Sequence, residues 1–129
     1  MLVMLVVLLV LPVTAHVPVL SGDHNTLATA TQIKDPAVSY AIYGTLHEAG
    51  EADYYTVTMQ KGDPLYFMAS TPEQGSFAPW LVIAGPGLPP QGTVPEGIEV
   101  PEGDTAVVSR YSVEKPAVYV TGSEVTLIV

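Results

Sequence analysis

Three observations predict an all-β domain of the β-sandwich kind. The stretch Glu51 to Ser70, EADYYTVTMQKGDPLYFMAS, alternates with a period of two on both sides of a turn. The run Pro79 to Ala84, PWLVIA, is apolar almost throughout, as expected of a strand buried on both sides. Turn-forming Pro and Gly punctuate the rest, most densely between Gly85 and Asp104.

The chain has 129 residues, enough for one domain with one modest core. Four basic and thirteen acidic residues give a formal net charge of −9. That balance argues against nucleic acid, which needs clustered Lys and Arg, and against electrostatic docking on anionic lipid. It points to a solubilising acidic surface, a basic partner or a divalent cation. There are no cysteines, which excludes disulfides, zinc–thiolate sites, iron–sulfur clusters and thiol catalysis.

The first charged side chain is Asp23, and Leu2 to Leu11 is a continuous apolar run. That run has the length of a signal-peptide core and falls short of the usual span of a transmembrane helix. Pro12 ends it, and Val13-Thr14-Ala15 supplies the small residues of a cleavage site after Ala15. Residues 1–15 are therefore read as a signal peptide and 16–129 as one secreted domain. The rival reading is an uncleaved anchor, the sequence's one route to a membrane, which would leave the protein at the cell surface.

His16 to Asp23 reads as an extended lead-in. Leu27, Ala30 and Ile33 have near-helical spacing, so Leu27 to Ile33 either makes one short turn or lies along the sandwich. Asp35-Pro36 marks a turn. Ser39 to Gly44 is a strand with Tyr40 and Ile42 on one face, and Leu46 to Glu51 is a polar loop. Next comes the predicted hairpin. Tyr55, Val57 and Met59 alternate with Tyr54, Thr56 and Thr58. Beyond Lys61-Gly62-Asp63-Pro64, Leu65, Phe67 and Ala69 alternate with Tyr66 and Met68. The segment 85–104 repeats Val94-Pro95-Glu96-Gly97 as Val100-Pro101-Glu102-Gly103, and predicts turns in a connector with a short edge strand at Ile98 to Val100, with a recognition loop as the alternative. Thr105 to Ser109 is a further strand. Ala117 to Thr121 and Glu124 to Val129 are expected to form a last hairpin around Gly122-Ser123.

Several of these pieces together resemble the bacterial pre-peptidase C-terminal domain. They are Asn25-Thr26 with Ala28 to Ile33, Tyr43-Gly44-Thr45-Leu46, Asp53-Tyr54-Tyr55-Thr56-Val57, Lys61-Gly62-Asp63-Pro64-Leu65, and Pro79 to Ile83 followed by Gly85-Pro86-Gly87. The same stretch resembles uncharacterised secreted archaeal and bacterial proteins of that architecture. The resemblance implies an antiparallel, jelly-roll-like β-sandwich. The family's closing strands are not matched: either Tyr119-Val120 and Glu124 to Val129 replace them, or the sandwich is incomplete at the C-terminus.

No catalytic constellation emerges. No Ser sits in a G-x-S-x-G setting, no glycine-rich phosphate loop precedes a helix, and Glu48 and Glu51 are three apart in a loop. The expectation is a non-catalytic extracellular module for binding or structural support, with a protein or polymer as partner. The resemblance implies an appended domain of the kind that binds substrate polymers or calcium. Asp23, Asn25 and Asp53 are the candidate calcium ligands, as hard oxygen donors; their alternative is an Asx turn and a capped strand entry. Tyr54 (or Tyr55), Tyr66 and Trp80 are the candidate binding residues, with core packing as the alternative. A second expectation is copper binding. Cleavage after Ala15 would leave His16 N-terminal, where its amine and imidazole chelate one ion with help from His24 or His47.

Overall fold

The computed structural model describes residues 16–20, 22, 24–69, 79–110, 117–119 and 124–129. Among these described residues nine strands follow in chain order: β1 (Val17–Leu20), β2 (Thr31–Ile33), β3 (Tyr40–Tyr43), β4 (Tyr54–Thr58), β5 (Pro64–Tyr66), β6 (Trp80–Gly85), β7 (Thr105–Arg110), β8 (Ala117–Tyr119) and β9 (Glu124–Ile128). Leu27–Thr29 forms a single 3-10 turn. The fold is all-β and sandwich-like. A five-stranded sheet in the order β2-β4-β9-β6-β7 packs with two two-stranded sheets, β1-β3 and β5-β8.

The pleat sorts the apolar residues into two layers. On one face Tyr55, Val57 and Met59 of the β4 stretch meet Leu81 and Ile83 of β6, Val107 of β7, and Val125 and Leu127 of β9. Tyr40 and Ile42 of β3, with Leu65 of β5 and Phe67 just after it, cover that face. The opposite face carries Tyr54, Val82, Val108 and Ile128, and is covered by Leu27, Ala30, Val94 and Ile98. The Pro/Gly-rich segment thus roofs the sheet. Its repeat makes the same turn twice: Ile98 N–H donates to the Pro95 carbonyl over Gly97 at φ 85°, and Asp104 N–H to the Pro101 carbonyl over Gly103 at φ 86°.

Several pairings differ from the sequence expectation. The Glu51–Ser70 stretch is not a hairpin: β4 pairs with β2 and β9, whereas β5 pairs with β8. The turn explains this. Asp63 N–H bonds the Gln60 carbonyl, and only Gly62, at φ 94°, is left-handed. That is the type II arrangement, whose twist splays two strands where the hairpin types I′ and II′ would align them. The C-terminal hairpin is likewise absent. β8 lies against β5, and β9 sits between β4 and β6, with Val57 opposite Val125 and Ile83 opposite Leu127. The apolar ending is therefore the middle of the sheet rather than an edge. Nor are the sheets purely antiparallel: β1-β3 and β2-β4 run parallel, and the chain through β3 supplies the crossover that a parallel β2-β4 pair requires. Residues 98–100 form no strand; Glu99 N–H donates to the Tyr54 hydroxyl at 2.9 Å instead.

The outer edge of β7 is shielded by one residue. Gln91 N–H bonds the Ala106 carbonyl at 3.1 Å, and Val108 N–H bonds the Gln91 carbonyl at 2.7 Å. Gly92 makes that approach possible. It sits at φ 77°, and a Cβ there would lie 3.0 Å from Val108 Cβ.

Candidate functional site

Two features sit side by side where β4 begins. The first is a buried polar cluster. His24 is 2% exposed, yet its Nε2 lies 3.1 Å from the Tyr55 hydroxyl and 3.5 Å from Asp53 Oδ1. The His24 and Tyr55 rings are tilted with centroids 5.0 Å apart. The backbone holds them in place: Tyr54 N–H donates to the His24 carbonyl at 2.9 Å, and Asp53 exchanges two bonds with Val129 at 2.9 and 3.0 Å. Burial pushes the Asp53 carboxyl above the ordinary value, against the pull of His24. Such a set of polar side chains is tolerable in a core because each has a partner.

The second feature is a cleft on the roofed face of the sheet. Its apolar compartment, about 150 Å³, has Ala52, Val82 and Ile128 as floor, Pro79 and Trp80 on one side, and Pro95 and Ile98 of the roof on the other. A more polar compartment of about 360 Å³ adjoins it between Asn25, Tyr54 and Gly97. The loop Glu48 to Ala52 lines both. That loop is folded around Glu51, whose carboxylate accepts from the backbone N–H groups of His47 and Glu48 and lies 3.4 Å from His47 Nδ1. The His47 N–H, foremost among these, holds Glu51 below the ordinary carboxylate value, so it stays charged.

The residues expected from sequence are distributed unevenly over this site. Trp80 is 41% exposed at the lip of the cleft. Tyr54 and Tyr55 are each 2% exposed with their hydroxyls engaged inside; Tyr54 borders the polar compartment, and Tyr55 belongs to neither compartment. Tyr66 is 68% exposed but lies on β5, outside the cleft lining. Of the calcium candidates, Asp23 is outside the described residues, Asn25 is exposed beside the polar compartment, and the Asp53 carboxylate faces His24. The copper candidates have separate partners: His16 Nδ1 bonds Ser39 Oγ at 2.7 Å, His24 faces Tyr55 and Asp53, and His47 faces Glu51. Among the described residues no three His, Asp or Glu side chains gather at metal-binding distance.

For the roof, sequence reasoning favours a connector over a recognition loop. Pro95, Glu96 and Ile98 belong to the cleft, and the repeated Val-Pro-Glu-Gly was the one signal that could have marked them. The residues read as a signal peptide lie outside those described, and among the described residues no helix is long and apolar enough to cross a membrane. No family model, curated protein or solved structure matches the chain.

Proposed function

We propose that the protein is a non-catalytic extracellular β-sandwich module, of the pre-peptidase C-terminal type, that binds a partner in the cleft between the 48–52 loop and the Pro95–Ile98 turn. The observation that carries this reading is the combination of a partly open apolar cleft with a half-exposed tryptophan at its lip. Burying a large aromatic on binding is a main source of interface energy, and leaving it exposed in the free protein costs solvation. Around it, the cleft walls are tied down. Glu99 bonds both Tyr54 and the Leu27 N–H, and Glu51 organises the facing loop, so little order remains to be imposed when a partner arrives. Export would follow from removal of residues 1–15.

The test is retention on immobilised extracellular polymers and peptides by the wild type and by Trp80→Ala. Retention that falls at least tenfold in the variant is expected, as for a hot-spot aromatic. Retention indifferent to Trp80 would sink the cleft as the binding site.

A further inference from the structure

We propose that His24, Asp53 and Tyr55 form a site for one divalent transition ion of the zinc class, apart from the cleft and independent of what the cleft binds. Three donor atoms converge there. His24 Nε2 lies 3.1 Å from the Tyr55 hydroxyl and 3.5 Å from Asp53 Oδ1, and the Tyr55 side chain also hydrogen-bonds the Asp53 carboxyl. Donors about 2.0–2.2 Å from a tetrahedral ion stand about 3.3–3.6 Å from one another. The triangle of side chains thus has the spacing of a coordination shell, with an ion taking the place of the shared protons.

The backbone sets this triangle in advance. Asp53 and Tyr55 are two apart at the entry to β4 and so project from one face. Asp53 is fixed by its paired bonds to Val129, and His24 by the bond from Tyr54 N–H to its carbonyl. The donor types choose the ion. An imidazole with two oxygens suits zinc and its neighbours, whereas calcium takes six to eight oxygens. Enclosure chooses the role. His24 is 2% exposed and the Asp53 side chain 14%, so the carboxylate is the side from which an ion enters. An ion so enclosed is structural: it ties residue 24 to the start of β4. The competing account is a hydrogen-bonded trio that holds no ion. The two differ over one proton, because zinc displaces the Tyr55 hydroxyl proton into solvent and a hydrogen bond keeps it.

The experiment is a zinc titration of the full folded chain, freed of metal beforehand, at neutral pH. One ion per chain is expected, with release of protons and the ultraviolet signature of a tyrosinate. The ring NMR signals of His24 and Tyr55 should shift, and those of His16 and His47 should not. Tyr55→Phe, Asp53→Asn and His24→Gln should each weaken zinc binding at least tenfold. His16→Gln and His47→Gln, which alter the two exposed histidines, should leave it unchanged. Calcium at the same concentration should bring none of these signals. Absence of saturable zinc binding, binding without a tyrosinate, shifts confined to His16 or His47, or full affinity in Tyr55→Phe each overturns the proposal. The wild-type signals decide the matter by themselves if a variant fails to fold.

Discussion

β4 and β5 leave the sequence looking alike. Each alternates aromatic and aliphatic residues, and they flank one turn, yet they reach opposite ends of the scale of burial. β4 is enclosed on both faces and paired on both edges: Tyr55 sits under the β3 layer and Tyr54 under the Pro/Gly roof. β5 buries only Leu65, pairs with the short β8, and leaves Tyr66 at 68% exposure. What separates them is the partner each finds. Tyr55 has His24, 31 positions upstream, and Tyr54 has Glu99, 45 positions downstream. A period of two fixes which face a residue takes and says nothing of what covers that face.

The largest test of this contrast acts through the neighbour of β4. Leu127→Ala in β9 should lower stability by about 2–5 kcal/mol, as for deletion of a buried leucine, measured by urea unfolding. A loss under about 1 kcal/mol would mean that β9 does not close the sheet. Next is Tyr55→Phe. It removes the hydroxyl from buried His24 and should cost about 1–3 kcal/mol, most of it coupled to His24 in a double-mutant cycle. Additive behaviour with His24→Ala would show that the cluster is not a unit. At the less protected side of the same sheet, Gly92→Ala should cost about 1–3 kcal/mol by straining φ and pushing Gln91 from β7. Neutrality there would show that β7 does not depend on its one-residue shield.

A gentler probe is the Asp53 titration, followed by its carboxyl carbon. Burial should place the midpoint above the ordinary 3.8. The folded carboxyl then holds its proton more tightly than the unfolded one. The stability it contributes is complete below that ordinary value and is lost as pH rises through the folded value. A midpoint below 3.8 would mean that His24 and Tyr55 outweigh burial. The smallest effect belongs to β5: Tyr66→Ser should stay within about 0.5 kcal/mol, and a larger loss would place Tyr66 in an interface of its own.

Most strand positions were legible in the sequence, because alternation is local. The double-sided burial of Leu81 to Ala84 and the faces of Tyr40 and Ile42 follow from it directly. Pairing was not legible. The turn contains Gly62 and is followed by Pro64, as a hairpin loop could be, and only the positive φ at Gly62 with the Asp63–Gln60 bond reveals that it parts the strands. The site was half legible. Trp80 stood out as the single tryptophan, but the two loops that make a cleft around it are joined only in space. His24 reads as a metal ligand because composition shows a histidine and hides the half-buried carboxyl and buried phenol that engage it.

The place of β9 also bears on how the chain acquires its structure. Its two neighbours are far upstream: Val125 faces Val57, and Leu127 faces Ile83. Until β9 arrives, the β2-β4 ribbon and the β6-β7 ribbon are separate pieces, each with an open edge. Closing them pays the loop entropy of distant segments before any pairing energy returns, which makes for a slow, high-contact-order search. During that wait the raw edges of β4 and β6 are the surfaces most open to pairing with another copy. The strand that most secures the finished sheet is thus also the one whose delay most exposes the chain to misassembly.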